Sequence, residues 1–530
     1  MLLPDVRHHL MPVRTRSVMC VPVTEFGMNA HPVTEPARRR LLPEPPPVHA
    51  LTRLAAYPWL VVGVACLGAF AGQVDASIVQ LGLPNLESAF GRSLNAVSWV
   101  AVAYSLAFAA VLPIYARLAE MAGRKLMYIL GFALFGLFSA LCGLAPDLPW
   151  LIVFRVLQGV SGALLGANSV VILVTVAGPT RRDRAMGLFA AAQAIGVCAG
   201  PALGGMLLNS LSWHWIFWVT VPFAVLGAVL GWLLVPVSTR LSADNSFDWG
   251  GALLLVPGLT ALMLMISKLN AWGALSYGVL GCAAAAILLI AGFIRQERRT
   301  RAPLIRLGLF RSRAFSGGTV AVVLSYAMLY AMFFAMSFAL VRGYHETPLA
   351  AGLHLALVPV ALGVVAPFSG ALAETRPRQV MLGGMALCVA AAIWLRWSFT
   401  GTPDSMPYVM AGLVAYGAGL GFFIAPNNSA TLAAAPADHA GQAGGLLNLM
   451  RAFGTAAGVA SASALLAWRL ERATGRHETT LGVNEHALLG AAGDVMLLIA
   501  AFAVLAAVAC SLRDNPREAE GPEQPARAAT

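Results

Sequence analysis

The chain has 530 residues, of which 58% are hydrophobic and only 11% are charged, and its mean hydropathy is +0.74. This composition excludes a soluble domain and indicates an integral membrane protein. The net charge of +11 does not indicate nucleic-acid binding, because no basic face belongs to a soluble module.

The first element in chain order is a tail at residues 1–54, which is rich in proline and arginine and has no apolar run. This composition predicts disorder, with the basic run Ala37 to Arg40 lying against anionic lipid. No cleavable signal precedes the first apolar run, and Met28 is an alternative start to Met1.

Fourteen apolar runs follow, and each predicts one membrane-spanning helix. We predict an N-terminal bundle at 55–236, two linker helices at 237–314, a C-terminal bundle at 315–511 and a tail at 512–530. An even number of spans places both ends of the chain on one side. The runs begin near Pro58, Ala96, Leu126, Trp150, Ala185, Trp215, Trp249, Ala274, Phe315, Ala350, Gln379, Met406, Gln442 and Ala487.

The basic residues of the short loops predict which side holds the two ends. Lys and Arg are retained on the cytoplasmic side during insertion. Most of them lie in the loops on the same side as the ends, and few lie on the other side apart from a cluster between residues 469 and 476. Both termini are therefore predicted to be cytoplasmic.

Two charged residues are predicted to lie within spans of the first bundle. Asp75 is in the first span, and Arg155 is in the fourth, one turn before Gln158. A charge in the bilayer needs a partner or a wet cavity, and a carboxylate withdrawn from water binds a proton more readily. We interpret Asp75 and Arg155 as candidates for proton and substrate coupling. The alternatives are an interfacial Asp75 and an Arg155 that extends to the membrane surface.

The fifth span contains several residues that weaken a helix. Gly196, Gly200 and Gly204 recur every four residues, which places a strip without side chains on one face. Pro201 removes an amide donor within that strip. The pattern predicts a bent and closely packed pivot, and ordinary packing of small residues is the alternative.

An internal repeat relates the two bundles. Gly187, Gly196 and Gly200 of the fifth span recur 258 residues later in the thirteenth, and Gly159 of the fourth recurs as Gly417 of the twelfth. A proline near the end of the second span recurs 254 residues later in the tenth. Spans one to six are therefore predicted to be repeated as spans nine to fourteen, in the same orientation, around a central cavity.

Polar and aromatic residues are candidates for the lining of that cavity, and hydrogen bonding between helices is the alternative for the polar ones. The candidates are Tyr104, Asn427, Asn448 and Arg451. No cysteine or histidine spacing predicts a metal site, and no nucleotide-binding or hydrolase motif is present. Energy for transport would then come from an ion gradient.

Four stretches resemble the major facilitator superfamily. Gly187 to Gly205 has the form G-x8-G-x3-GP-x2-GG of the antiporter motif of its drug exporters. Ala116 to Lys125 is similar to the family's loop between helices two and three, and Phe154 to Gly159 is similar to its helix-four motif R-x-x-Q-G. Val74 to Leu86 resembles the first-helix motif of its fourteen-helix drug/proton antiporters. The departures are Ala116 for glycine, Glu120 for aspartate, Gln80 for asparagine and Gly82 for alanine.

The resemblance implies an all-α major facilitator fold of two six-helix bundles with two extra helices between them, in a bacterial inner membrane. It implies proton antiport without a cofactor, coupled through Asp75, Arg155 and Gln158. It also implies a gating loop that pairs with the neighbouring bundle, formed by Glu120, Gly123, Arg124 and Lys125. The antiporter motif consists of Gly187, Gly196, Gly200, Pro201, Gly204 and Gly205, and all of these except Gly187 form the predicted pivot.

We therefore predict an exporter that exchanges protons for hydrophobic or cationic drug-like compounds. Its partners would be a small-molecule substrate, protons and membrane lipid, and not nucleic acid. The alternative within transport is a dedicated exporter of one endogenous metabolite, such as an antibiotic or siderophore. The alternative from another class is a non-transporting receptor or scaffold. A periplasmic adaptor and an outer-membrane channel are partners that the sequence does not show.

Overall fold

The computed structural model describes residues 44–238, 247–273, 275–300, 303–436, 439–475 and 479–513. Within these ranges, fourteen helices are long and apolar enough to cross a membrane, and no strand is present. Each predicted apolar run corresponds to one of these helices, and the protein is an all-helical, multi-pass membrane protein.

The bounds of the fourteen helices follow in chain order. They are α1 Tyr57–Phe90, α2 Leu94–Ala122, α3 Arg124–Cys142, α4 Leu148–Ala177, α5 Arg182–Ser210, α6 Val221–Leu234, α7 Trp249–Trp272, α8 Tyr277–Glu297, α9 Arg313–Phe338, α10 Pro348–Ala373, α11 Pro377–Ser398, α12 Met406–Ala433, α13 Ala440–Thr474 and α14 Glu485–Ser511. A single turn, Trp215–Trp218, precedes α6, and a π-helical segment, Ala339–Gly343, extends α9.

Local sequence accounts for the short connections in the first half. The side chain of Ser93 caps α2 by accepting from the amide of Ala96 at 3.3 Å, and Asp147 caps α4 by accepting from the amide of Trp150 at 2.9 Å. A single residue, Gly123, joins α2 to α3, and its φ of 110° is one that favours glycine. These short turns place successive helices side by side and antiparallel.

Equivalent helices of the two halves pack in equivalent pairs. The first half pairs α1 with α5, α2 with α4 and α3 with α6, and the second half pairs α9 with α13, α10 with α12 and α11 with α14. A Cβ on Gly159 would collide with the carbonyl oxygen of Tyr104, and a Cβ on Gly417 would collide with that of Val358. The two glycines are 258 residues apart and the two carbonyls 254, which are the offsets found in the sequence. The halves are therefore repeats in their contacts as well as in their sequence.

The halves meet along two helix pairs, α2 with α13 and α5 with α10. At the second of these, a Cβ on Gly205 would lie 2.6 Å from the carbonyl oxygen of Pro348, so the backbones are in direct contact. Helix α7 packs on both α2 and α13, and α8 packs on α7. The two extra helices therefore lie beside the junction of the halves.

The halves are joined at one membrane face. We call the face at which the described chain begins and ends the terminal face, and the other the opposite face. At the opposite face, the carboxylate of Glu87 in α1 accepts from the amide of Thr480 at 2.7 Å, and Arg342 after α9 donates to the carbonyl oxygen of Pro84 at 3.0 Å. At the terminal face, a cavity of about 540 Å³ lies between the end of α2 and the beginning of α13. We call it the vestibule.

Residues before the predicted tail boundary at residue 54 pack against the first half. Glu44 is only 8% exposed, and its carboxylate accepts from the amide of Ser238 at 2.6 Å and from the hydroxyl of the same residue at 2.8 Å. The amide of Val48 donates to the carbonyl oxygen of Leu233 at 3.0 Å. Residues 44–54 therefore belong to the folded part, and that boundary was placed too late. The rest of the predicted tail, with the run Ala37 to Arg40, lies outside the described residues.

Candidate functional site

A buried ion pair joins α1 to α4. Nη1 of Arg155 lies 2.7 Å from Oδ2 of Asp75, and the two side chains are 1% and 0% exposed. The same nitrogen donates to Oε1 of Gln158 at 2.7 Å, and Nε2 of Gln158 donates to Oδ1 of Asp75 at 2.9 Å. The three side chains form a closed ring of hydrogen bonds, which we call the α1–α4 cluster.

Helix geometry explains how the cluster forms. Arg155 and Gln158 are three residues apart on α4, so they share the face that packs against α1. Nε of Arg155 donates to the carbonyl oxygen of Val100 in α2 at 2.9 Å, which fixes the guanidinium between three helices. Asp75 is near the middle of the 34-residue α1. The structure therefore places Asp75 in the interior, not at the interface, and Arg155 does not extend to the membrane surface.

The glycine strip of α5 packs on the same segment of α1. A Cβ on Gly196 would lie 2.8 Å from the carbonyl oxygen of Phe70, and one on Gly204 would lie 2.9 Å from Cγ1 of Ile78. Gly200 faces Ser77, which is two residues after Asp75. The antiporter motif therefore lies directly against the helix that carries the buried acid.

The remaining motif residues differ in what they contact. Gly205 faces α10 of the second half, whereas a Cβ on Gly187 would have no atom within 4 Å. Pro201 lies inside α5, which is continuous from Arg182 to Ser210, and the carbonyl oxygen of Pro201 approaches Gly352 of α10. The bare face of α5 thus contacts α1 and α10 at once, and Gly187 does not take part in this close packing.

A cavity of about 100 Å³ lies between the halves, next to the α1–α4 cluster. We call it the central cavity. Tyr104 contacts both the cluster and the cavity. Its ring centre lies 4.2 Å from Cζ of Arg155, and the residue also lines the cavity. Gln73 and Ala76, on either side of Asp75, line the cavity, whereas Asp75 does not. On the far side, Asn448 and Arg451 of α13 complete the lining.

The chain from residue 65 to residue 459 matches the family model described as Major Facilitator Superfamily. The chain belongs to the major facilitator superfamily. The match covers most of both halves and includes α7 and α8, so the family explains the repeated bundles and the interface between them.

Relatives of this major facilitator protein have names that refer to different cargoes. It is 30% identical over 412 residues to the "Multidrug resistance protein B homolog" of Mycobacterium tuberculosis, covering 77% of this chain and 76% of the relative. It is 30% identical over 418 residues to the "Tetracenomycin C resistance and export protein" of Streptomyces glaucescens, covering 79% and 77%. It is 28% identical over 417 residues to the "Riboflavin transporter RibZ" of Clostridioides difficile, covering 78% and 89%.

One predicted cavity residue of this major facilitator protein lies elsewhere. Asn427 is 0% exposed, its Oδ1 accepts from Arg513 at 2.7 Å, and its Nδ2 donates to the carbonyl oxygen of Gly318 at 3.3 Å. It lines neither the central cavity nor the vestibule. For Asn427 the structure therefore favours the alternative, hydrogen bonding between helices within the second half, over lining of the central cavity.

The loop between α2 and α3 is bound within its own half. Oε2 of Glu120 lies 2.9 Å from Nη1 of Arg117, and Oε1 lies 3.5 Å from Nη2 of Arg124. Lys125 is 0% exposed, and its amide donates to the hydroxyl of Ser238 at 3.0 Å. Both ion-pair partners of Glu120 belong to the first half, whereas the resemblance implied pairing with the other bundle. The physical reason is the vestibule, which lies between this loop and the second half.

Glu44 and Glu87 are among the buried acids that were not recognised in the sequence. Glu87 is 0% exposed because α1 continues beyond Pro84, past the apolar run that predicted the span. Pro84 lies in this stretch but does not end the helix, which continues to Phe90 and ends at Gly91. Glu44 is in a stretch without any pattern, and no signal distinguished it. Among the described residues, no group of three or more metal-ligating side chains is present.

Proposed function

We propose that this major facilitator protein is a proton-coupled exporter of hydrophobic, drug-like compounds in a bacterial cytoplasmic membrane, with both termini cytoplasmic. The observation that carries the proposal is the α1–α4 cluster, in which a fully buried carboxylate is paired with a fully buried arginine. Similarity to proteins named for multidrug resistance and for antibiotic export supports export as the direction of transport.

Proton binding changes the energy of the cluster. A proton on Asp75 removes the negative charge that balances Arg155, and a buried charge without its partner costs about 3–5 kcal/mol. The guanidinium, whose Cζ lies 4.2 Å from the ring centre of Tyr104, then gains by moving toward that ring and the central cavity. The two protonation states of Asp75 therefore favour different arrangements of α1 and α4.

The packing of α5 connects that change to the two halves. Gly196 and Gly200 hold α5 against the segment of α1 around Asp75, and Gly205 holds it against α10 of the second half. A shift of α1 is therefore passed through α5 to the interface of the halves. Release at the opposite face requires the bond between Glu87 and Thr480 to break.

The lining of the central cavity fits a flat, apolar cargo. Tyr104 and Phe108 come from the first half, and Tyr326 and Tyr330 come from the second. A dedicated exporter of one endogenous metabolite remains the second candidate within transport, and the similarity to a protein named for the export of a single antibiotic favours it. Transport of several unrelated compounds would distinguish the multidrug exporter from the dedicated one.

The test uses inverted vesicles that contain the purified protein and have an acidic interior. We expect accumulation of Nile red, ethidium or fluorescein by the wild type, with loss of the proton gradient as cargo enters, and no accumulation by Asp75→Asn. Asp494→Asn is the matched control, because Asp494 is paired with Arg396 in the second half, away from both cavities.

The outcomes separate the alternatives. Gradient-driven accumulation that persists in Asp75→Asn would remove Asp75 from the mechanism. If the wild type accumulates no compound from a broad panel, the non-transporting receptor or scaffold is favoured instead.

A further inference from the structure

Arg451 lies within the membrane-spanning helix α13 and has no acidic partner among the described residues. It is the twelfth residue of α13, roughly 16 Å along the helix from its first residue. Among the described residues, no carboxylate lies within 4.0 Å of its guanidinium. Its Nε is buried without a hydrogen-bond partner, and Nη1 has only a long contact of 3.4 Å with Oδ1 of Asn448. An arginine within a span needs a partner or a wet cavity, and an anion in the cavity beside Arg451 would be such a partner.

Arg451 lines the central cavity, and no carboxylate does so among the described residues. Among the described residues that line it, Arg451 carries the only charge. Asp75 does not line the cavity, because it is fully buried in the α1–α4 cluster and paired with Arg155. Among the described lining residues, a cationic ligand would therefore find a like charge and no carboxylate, whereas an anion would find a guanidinium whose Nε has no partner and whose Nη1 has only the contact with Asn448.

The vestibule, which adjoins the central cavity, is also lined mainly by positive charge. Asn448 lines both the vestibule and the central cavity, so the two spaces adjoin at this residue. Arg117, Arg124 and Arg306 line the vestibule, and Glu120 is the single acid among its described lining residues. The positive-inside rule predicts basic residues in the loops at this face, but it does not explain Arg451, which lies within a span.

We propose that the central cavity binds an aromatic compound with an anionic group, which Arg451 receives together with the amide of Asn448. The ring of the compound lies among the aromatic side chains of Tyr104, Phe108, Tyr326 and Tyr330. The inference rests on the proposed function, because it names the charge class of the exported cargo. It also revises the expected cationic cargo, since a planar guanidinium binds a carboxylate through two parallel hydrogen bonds.

The test measures binding without transport, so that a failure of the proton-coupled mechanism does not affect it. The protein is placed in phosphatidylcholine nanodiscs at neutral pH. Binding is compared for anthracenecarboxylate, anthracenemethanol and anthracenemethylamine, which share one ring system and differ only in charge. We expect the carboxylate to bind about tenfold more tightly than the alcohol, and the amine to bind least well.

Three variants assign the preference to Arg451. Arg451→Gln should bind the carboxylate and the alcohol equally, whereas Arg451→Lys should keep most of the preference because it keeps the charge. Arg472→Gln is the matched control, because Arg472 lies on the same helix over the ring of Trp468, outside both cavities. It should bind as the wild type does.

Each other outcome contradicts the proposal. Equal binding of the three probes by the wild type, tighter binding of the amine, no binding of the carboxylate, or an unchanged preference in Arg451→Gln would overturn it. Loss of the preference when phosphatidylglycerol replaces part of the lipid would assign the anion at Arg451 to a lipid headgroup, which also overturns it. If the preference stands while vesicles show no proton-driven accumulation, only the proposed function fails.

Discussion

The carbonyl oxygen of Tyr104 occupies the place where a side chain on Gly159 would begin. This contact brings α4 close enough to α2 for Nε of Arg155 to reach the carbonyl oxygen of Val100 at 2.9 Å. The ring of the same tyrosine covers the guanidinium and lines the central cavity. One glycine therefore sets the distance between the charged cluster and the proposed cargo site.

We expect Gly159→Ala to push Tyr104 away from Arg155 and to reduce proton-driven transport at least tenfold. Overpacking of this kind costs about 1–3 kcal/mol, so the variant should remain folded. Gly417→Ala is the matched control, because Gly417 makes the same contact with Val358 in the second half, where Leu413 replaces the arginine. A similar melting temperature for both variants, with transport lost only in the first, is the expected result. Equal loss of transport in both would show that the effect is general packing.

The ion pair between Asp75 and Arg155 predicts how single and double substitutions change the stability of the protein. Asp75→Asn leaves a buried arginine without its counter-ion and should destabilise the protein by about 3–5 kcal/mol. The double variant Asp75→Asn with Arg155→Gln removes both charges and should recover part of that loss. Thermal unfolding in detergent measures both effects, and a double variant less stable than the single one would contradict the expectation.

The segment that begins at Glu44 predicts where the chain can be shortened. Removal of residues 1–27, which starts the chain at Met28, leaves Glu44 and its bonds to Ser238 in place. It should not change the melting temperature. Glu44→Ala leaves the amide and hydroxyl of Ser238 without an acceptor and should cost about 1–3 kcal/mol. Equal melting temperatures for Glu44→Ala and the wild type would show that the contact does not stabilise the fold.

Hydrogen exchange can measure how firmly the bond between Glu87 and Thr480 holds the halves together at the opposite face. Glu87→Ala removes the acceptor of the amide of Thr480, and we expect that amide to exchange at least tenfold faster. Glu485→Ala is the control, because Glu485 is an exposed acid at the same face, paired with His345. It should leave the exchange of Thr480 unchanged. Unchanged exchange in Glu87→Ala would mean that this bond does not hold the halves together.

The repeat explains why much of the fold was predictable. Apolar runs of about 20 residues have few alternatives in a bilayer, so the fourteen helices follow from composition and length. The paired offsets at Gly159 and Gly417 then predict that the halves share their packing, because a missing side chain matters only where another backbone approaches. The contacts with Tyr104 and Val358 confirm this.

Only some of the residues that form the site could be predicted from the sequence. Asp75, Arg155 and Gln158 were identifiable because a charge or amide within an apolar run needs a partner, and the structure brings the three together. Asn427 satisfied the same criterion and bonds instead to Arg513. A polar residue in a span needs either a hydrogen bond to another helix or contact with a cavity, and the sequence does not show which of the two it has.

The sequence by itself determined the number of spans, the repeat, and the side chains that lie too deep in the membrane to remain unpaired. Each of these depends on the cost of polar groups in lipid, which acts on every residue separately. Only the tertiary structure decided that Tyr104 contacts Arg155 and lines the central cavity, that Glu120 pairs within its own half, and that Arg451 has no acid beside it among the described residues. These facts depend on the distances between helices that are far apart in the chain, and those distances are set by the packing of all fourteen together.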